Sequence, residues 1–202
     1  MKPVVAGVIV AAGESTRMGR LKQLIPIGDR PMLQWVIDAA EASRLDQVAV
    51  VTGPVDTVRS GVRLGRSVPA VNPHPELGTM SSLRAGLAVL EPCDAVVKLV
   101  ADQPEVTTGD IDALIEAWDP ELHRAALVRY RDGDGHPLLI RADALAEITD
   151  REGDRLLWRL MEIGPTHRLV LDRQAPLDVN TPDDLATLAV RLGHSFPAPP
   201  TA

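Results

Sequence analysis

The sequence predicts an α/β fold, a three-layer α/β/α sandwich around a mostly parallel sheet, on three observations. Short β-branched apolar runs alternate with amphipathic stretches from Val4 to Trp118, the pattern of strands joined by right-handed helical crossovers. The run from Ala95 to Val100 is apolar except for Lys98, as a central strand buried on both faces requires. Two apolar runs, Ala125 to Tyr130 and His136 to Ile140, flank Asp132-Gly133-Asp134-Gly135, a hairpin signal that adds antiparallel character late in the chain.

Taken in order, Val4 to Val10 forms the first strand and feeds a loop of small residues and cations, Ala11 to Lys22. Pro31 opens a helix to about Ser43 with Met32, Val36, Ala39 and Ala40 on its buried stripe. Gln47 to Val51 is the second strand, and Thr52-Gly53-Pro54 turns into a helix that Gly61 and Gly65 close. Val68 to Val71 is the third strand, followed by a loop stiffened by Pro73 and Pro75. Thr79 is placed to cap a helix carrying Leu83, Leu87 and Leu90, and Thr108 to cap one carrying Ile111, Leu114, Ile115 and Trp118. Beyond the hairpin come short helices at Ala142 to Ile148 and Leu156 to Ile163, then a strand at His167 to Leu171. Thr181-Pro182-Asp183-Asp184 starts the last helix, with proline in the first turn and acids at the positive end of the dipole. Residues 1–193 read as one domain and the proline-rich 194–202 as a disordered tail.

Bulk properties narrow the function. Only 2% of residues are aromatic, which removes the stacking platforms of single-stranded nucleic-acid binders. A net charge of −7 argues against nucleic acid or an anionic membrane as partner. One cysteine, Cys93, makes no internal disulfide and fits a reducing cytoplasm. The N-terminal apolar run is short and interrupted by Gly7, so it reads as a strand rather than a signal peptide.

Against this acidic background, Arg17, Arg20 and Lys22 cluster after Ala11, Ala12 and Gly13, and Lys22 is one of only three lysines. Small residues let backbone N–H groups approach an anion, and the cations neutralise it. A loop leaving the carboxyl end of a buried strand is where open α/β sheets bind ligands. Neither G-x-x-x-x-G-K-[ST] nor G-x-G-x-x-G is present, which excludes the two commonest phosphate loops and counts against a dinucleotide-dependent oxidoreductase. Three further loops are expected at the same rim: Asn72 to Arg84, Asp102 to Pro104, and Asp178 to Thr181. Asp102 is the best metal ligand, because an acid ending an apolar strand is costly without a partner. An Asx turn ahead of Pro104 is the competing explanation. Asn180, or Asp178, offers a second oxygen, although Asn180 taken alone is as readily a turn residue. Lys98 either snorkels from its strand or approaches the rim. The joint chemistry is phosphoryl or nucleotidyl transfer.

The run Ala11-Ala12-Gly13, Ser15, Arg17-Met18-Gly19, Lys22 resembles the signature loop of the nucleotidyltransferases that activate molybdopterin. Asn72-Pro73 with Gly78, Ser82-Leu83-Arg84-Ala85-Gly86-Leu87, Asp102-Gln103-Pro104, Gly135-His136-Pro137 and Thr181-Pro182-Asp183-Asp184-Leu185 continue the resemblance in family order. The Gly-His-Pro element and the Ser-Leu-Arg-Ala-Gly-Leu helix resemble the molybdenum-cofactor cytidylyltransferase branch. The resemblance implies a Rossmann-like fold and CMP transfer from CTP to the terminal phosphate of the molybdenum cofactor, with Mg²⁺ as cofactor and a molybdoenzyme receiving the product. It implies nucleotide contacts at the backbones of Ala12 and Gly13, phosphate contacts at Arg17 and Lys22, and Ser82 near the cytosine. It further implies Mg²⁺ on Asp102 and Asn180, and the pterin against Gly135, His136 and Pro137. Ala12 in place of a glycine favours a pyrimidine over a purine. Three elements depart from the pattern: Ala101 replaces the glycine usual before Asp-Gln-Pro, Gly78-Thr79-Met80 is a variant of the usual Gly-Met, and Gly153-Asp154-Arg155 matches an acceptor-side motif only in part.

Overall fold

β1 (Val5–Ala11) is the axis of the molecule: it pairs in parallel with a strand on each side, in register over five or more residues. The computed structural model describes residues 2–13, 21–54, 57–148 and 164–193. After β1 come a small ribbon of β2 (Pro26–Ile27) and β3 (Arg30–Pro31), α1 (Met32–Glu41), β4 (Gln47–Thr52) and a single helical turn, α2 (Thr57–Ser60). Next are β5 (Val68–Val71), α3 (Thr79–Leu87), β6 (Ala95–Val100) and α4 (Thr108–Ala117). The hairpin β7 (Ala125–Tyr130) and β8 (Gly133–Arg141) leads to α5 (Ala142–Ala146), β9 (Thr166–Val170) and α6 (Pro182–Leu192).

The main sheet has the order β5-β4-β1-β6-β8-β7-β9. All neighbouring strands run parallel except β8, which is antiparallel to both β6 and β7. Side chains alternate across a strand, and the core divides accordingly. Val5, Ile9, Val97 and Leu99 face the cluster filled by Leu33, Val36 and Ile37 of α1 and Ile111 and Leu114 of α4. Val8, Val96, Leu138 and Ile140 face the cluster filled by Met80 and Leu83 of α3 and Ala144 and Leu145 of α5. Helices thus cover both faces, giving the expected three layers. A third cluster, Ile25, Ile27, Met32, Val179, Leu185 and Leu188, seats α6 beside the β2–β3 ribbon. Among the described residues no helix is long and apolar enough to cross a membrane.

Several local expectations are corrected. The N-cap of α3 is Gly78, at φ 85°, and Thr79 is already helical; the Ser81 hydroxyl donates back to the Gly78 carbonyl at 2.7 Å. The cap of α4 is Thr107 rather than Thr108, because Asp110 stands at the third position from Thr107 and closes a reciprocal capping box. The helix after Pro54 is one turn, and the hairpin turns at Arg131-Asp132, so Gly133, Asp134 and Gly135 belong to β8. The expected helix start at Thr181-Pro182-Asp183-Asp184 is present, and Thr181 is its N-cap, with Asp184 closing a capping box. The expected helix at 156–163 and the tail at 194–202 lie outside the described residues.

Gly86 shows how tightly α3 is pressed onto the sheet: a Cβ there would lie 2.6 Å from Cγ1 of Val8 and 3.0 Å from Cγ2 of Val51. In an open helix Gly→Ala gains roughly 1 kcal/mol. Here overpacking reverses the sign, and Gly86→Ala should destabilise the protein by about 1–3 kcal/mol in urea unfolding; a stabilised variant would contradict this packing.

Candidate active site

The carboxyl ends of β1, β4, β5 and β6 form one rim, and backbone contacts tie their loops together. The Asn72 N–H donates to the Thr52 carbonyl at 2.8 Å, joining the exits of β5 and β4. A Cβ on Gly53 would lie 3.2 Å from the Ala12 carbonyl oxygen, so the loops after β4 and β1 touch. The stretch from Asp178 to Thr181 reaches the same rim, but not by directly leaving a strand. It follows an irregular run after β9, and the Val179 N–H donates to the Asp102 carbonyl at 3.0 Å.

Lys22 is the hub. Its Nζ donates to Asp102 Oδ2 at 2.7 Å, Asn180 Oδ1 at 3.0 Å and the Val179 carbonyl at 3.2 Å. The lysine and aspartate side chains are 15% and 22% exposed, so solvent screens this pair only partly. Among the described residues these oxygens are one carboxylate, one amide and one peptide carbonyl. This all-oxygen set is chemically suited to a hard cation such as Mg²⁺ or Mn²⁺. Among the described residues there is no group of three or more His, Cys, Asp or Glu side chains placed to hold a metal ion.

The neighbours of this hub are held as firmly. Gln103 Nε2 donates to Asp178 Oδ1 at 2.7 Å. Burial, and after it the negative charge of Asp102, raise the Asp178 carboxyl above the ordinary carboxylate range. Asp184 Oδ2 accepts from the Asn180 and Thr181 N–H groups at 3.0 and 2.8 Å, so the cap of α6 also fixes Asn180. At the start of the loop after β1, Gln23 is buried and its Nε2 donates to the carbonyls of Ala11 and Gly13 at 3.0 and 2.6 Å. Ala11 and Ala12 are buried and Gly13 is exposed. Arg17, Arg20 and the Gly153-Asp154-Arg155 element lie outside the described residues.

Ser82 is buried near the start of α3, where Asn72 Nδ2 reaches its hydroxyl at 3.0 Å and that of Ser81 at 2.8 Å. Asn72 Oδ1 in turn accepts from the His74 N–H at 2.9 Å. Asn72 therefore sets the path of the loop and the place of Ser82 together.

Gly135-His136-Pro137 occupies a bulge. Leu127 pairs with Leu138 but Val128 pairs with Gly135, leaving His136 and Pro137 as two extra residues in β8. The bulge brings His136 Nε2 to 2.7 Å from Nζ of Lys98, which is 6% exposed on β6. A lysine ammonium only donates, so Nε2 is the acceptor and the imidazole proton sits on Nδ1. The Tyr130 hydroxyl donates to the His136 carbonyl at 2.7 Å, and its ring crowds Gly135, where a Cβ would lie 3.0 Å away and the ring would have to shift by a few tenths of an ångström. The guanidinium of Arg173, paired with Asp110 at 2.6 Å, covers the Tyr130 ring at 5.1 Å. Burial raises the tyrosine hydroxyl above its ordinary value, with Asp110 adding to the effect.

Sequence reasoning picked out Lys22, Asp102 and Asn180, and the structure brings all three together. It missed Gln23, Asn72 as an organiser and Tyr130, whose partners lie 6 to 12 residues away in irregular backbone. The one available signal was a glutamine, Gln23, standing directly between Lys22 and the apolar run Leu24 to Ile27.

His136 makes a pH prediction. Burial, reinforced by the Lys98 ammonium, holds its pKa well below 6.5 in the folded protein. On unfolding it regains ordinary proton affinity, so its contribution to stability is present above pH 6.5 and lost as the pH falls below it. Between about pH 7.5 and about pH 5 the melting temperature of the wild type should fall more steeply than that of His136→Gln; equal slopes would contradict the assignment.

Residues 7–172 match the MobA-like NTP transferase domain. Among solved structures, Rv0371c from Mycobacterium tuberculosis H37Rv superposes with a TM-score of 0.85 at 32% identity, covering 93% of this chain and 98% of that one. A manganese complex of the same mycobacterial protein superposes at 0.78 with 30% identity, covering 91% and 97%. Among curated proteins, the 3-deoxy-manno-octulosonate cytidylyltransferase of Synechococcus elongatus is 35% identical over 98 residues, 48% of this chain and 40% of that enzyme. The aligned stretch thus spans well under half the length of that curated relative. The loop–strand–helix rim described above and a domain match across most of the sequence agree, and the chain belongs to the MobA-like NTP transferase family, within the nucleotidyltransferase superfamily.

Proposed function

We propose that this protein transfers CMP from CTP to the terminal phosphate of the molybdenum cofactor and releases pyrophosphate. The observation that carries the reading is the meeting of Lys22, Asp102 and Asn180 at the strand-end rim, beside a loop of small residues whose base is clamped by Gln23. A cationic side chain, an oxygen cage and a backbone able to approach phosphate are what nucleotidyl transfer needs. The choice of CTP rests on Ala12-Gly13, where a methyl group crowds a purine more than a pyrimidine, and is supported by the likeness to a cytidylyltransferase.

In this reading the ionised phosphate oxygen of the acceptor attacks the α-phosphorus of CTP in line. A new P–O bond forms while the bond to the oxygen bridging the β-phosphorus breaks, and that electron pair leaves on pyrophosphate. No strong general base is required, so catalysis is positioning plus charge stabilisation. Mg²⁺ held by Asp102 and Asn180 would supply neutralisation of the triphosphate when bound. Arg17 and Lys22 would contact the phosphates, the backbone of Ala12 and Gly13 would follow the nucleotide, and Ser82 would face the base. The bulge at Gly135, His136 and Pro137 would receive the acceptor, its shape set by Tyr130. A molybdoenzyme would take the product.

Pyrophosphate release assayed with each of the four nucleoside triphosphates, Mg²⁺ and molybdenum cofactor tests the reading, with turnover expected for CTP. Release with a sugar or polyol phosphate and none with molybdenum cofactor would move the acceptor to that class. Lys22→Ala should lower kcat/KM by about 10²-fold or more; an unimpaired variant would overturn its assignment.

A further inference from the structure

The Lys22 ammonium sits among the very oxygens that suit a divalent cation, Asp102 Oδ2, Asn180 Oδ1 and the Val179 carbonyl, at 2.7 to 3.2 Å. Those are ammonium hydrogen-bond lengths. Mg²⁺ takes its oxygens at about 2.0–2.1 Å, with Mn²⁺ favouring the same kind of oxygen set. One cage cannot hold both cations, because the second would sit within bonding distance of a like charge.

Two features make the lysine the movable occupant. The oxygens are set by the backbone: the Val179 N–H donates to the Asp102 carbonyl at 3.0 Å, and Asp184 holds the Asn180 N–H at 3.0 Å. The lysine instead reaches in on a long flexible stem from a short helical turn, Lys22–Leu24. The next residue in that turn, Gln23, is bound to the carbonyls of Ala11 and Gly13. The root of Lys22 is thus fixed at the base of the small-residue loop while its tip lies on the cage.

We propose that Lys22 is a cation-exchange latch: its ammonium and a divalent metal compete for Asp102, Asn180 and the Val179 carbonyl, and the metal takes the cage as the lysine swings away. The inference rests on the nucleotidyltransferase reading, in which a triphosphate is the lysine's alternative partner. It adds an order to that reading. Metal and nucleotide bind with positive coupling, since the anion that draws Lys22 out also opens the cage.

The test measures Mn²⁺ binding to the full chain without nucleotide, by electron paramagnetic resonance of free Mn²⁺. Lys22→Met and Lys22→Gln should each bind Mn²⁺ about 10-fold more tightly than the wild type, within the usual 5- to 150-fold span of site coupling. Lys22→Arg, which keeps the charge, should stay near the wild type. Adding Asp102→Asn to Lys22→Met should abolish the gain. Circular dichroism melts of each variant confirm that the fold is retained. Binding no tighter in both neutral variants, or a gain that survives Asp102→Asn, overturns the latch. Pyrophosphate release by the wild type is a separate assay, so loss of the functional reading and loss of the latch are told apart.

Discussion

The contact between Lys22 and Asp102 spans 80 residues of sequence, and the organisation of the rim depends on it. Asp102 is delivered by β6, the parallel neighbour of β1. Lys22 is delivered by the turn that follows the loop after β1, and its ammonium also collects Asn180 and Val179 from the segment before α6. A carboxylate at the end of an apolar strand is expensive to desolvate alone, and an ammonium 2.7 Å away offsets that cost. The same pairing draws three distant pieces of chain into a single oxygen-lined cage.

A second constraint governs the far side of the rim. The two-residue bulge in β8 exists where β6 stops pairing with it, at Lys98 and Leu138. Freed from the ladder there, His136 turns toward Lys98, and the aromatic ring of Tyr130 fixes the curve from beneath. Asp178 senses both halves. Its carboxyl interacts unfavourably with Asp102 and favourably with Lys22 and Lys98. The site is thus one electrostatic unit, with the metal-suited oxygens at one end and the lysine–histidine pair at the other.

What could be read from the chain depended on the range of the interaction. β6 and β7 fall where their apolar runs predict, because strands buried along most of their length leave a local imprint. β5 also falls at its predicted bounds, although only Ala70 of its four residues is buried. The start of α6 was legible because its signals, Pro182 in the first turn and the acids Asp183 and Asp184, are local. The cap of α4 was misplaced by one residue because two threonines stand side by side and only the position of Asp110 separates them. The hairpin turn was misplaced because the bulge absorbs two residues, which no local pattern announces. Lys98 could not be resolved, since its partner lies 38 residues away across the sheet.

The most direct measurement is a crystal structure of the protein soaked with CTP and manganese, read by anomalous scattering at the manganese edge. The account predicts a single manganese peak between Asp102 and Asn180, the triphosphate along the loop after β1, and Lys22 Nζ turned onto a phosphate oxygen. A triphosphate bound away from that loop, or a manganese peak remote from Asp102, would contradict it.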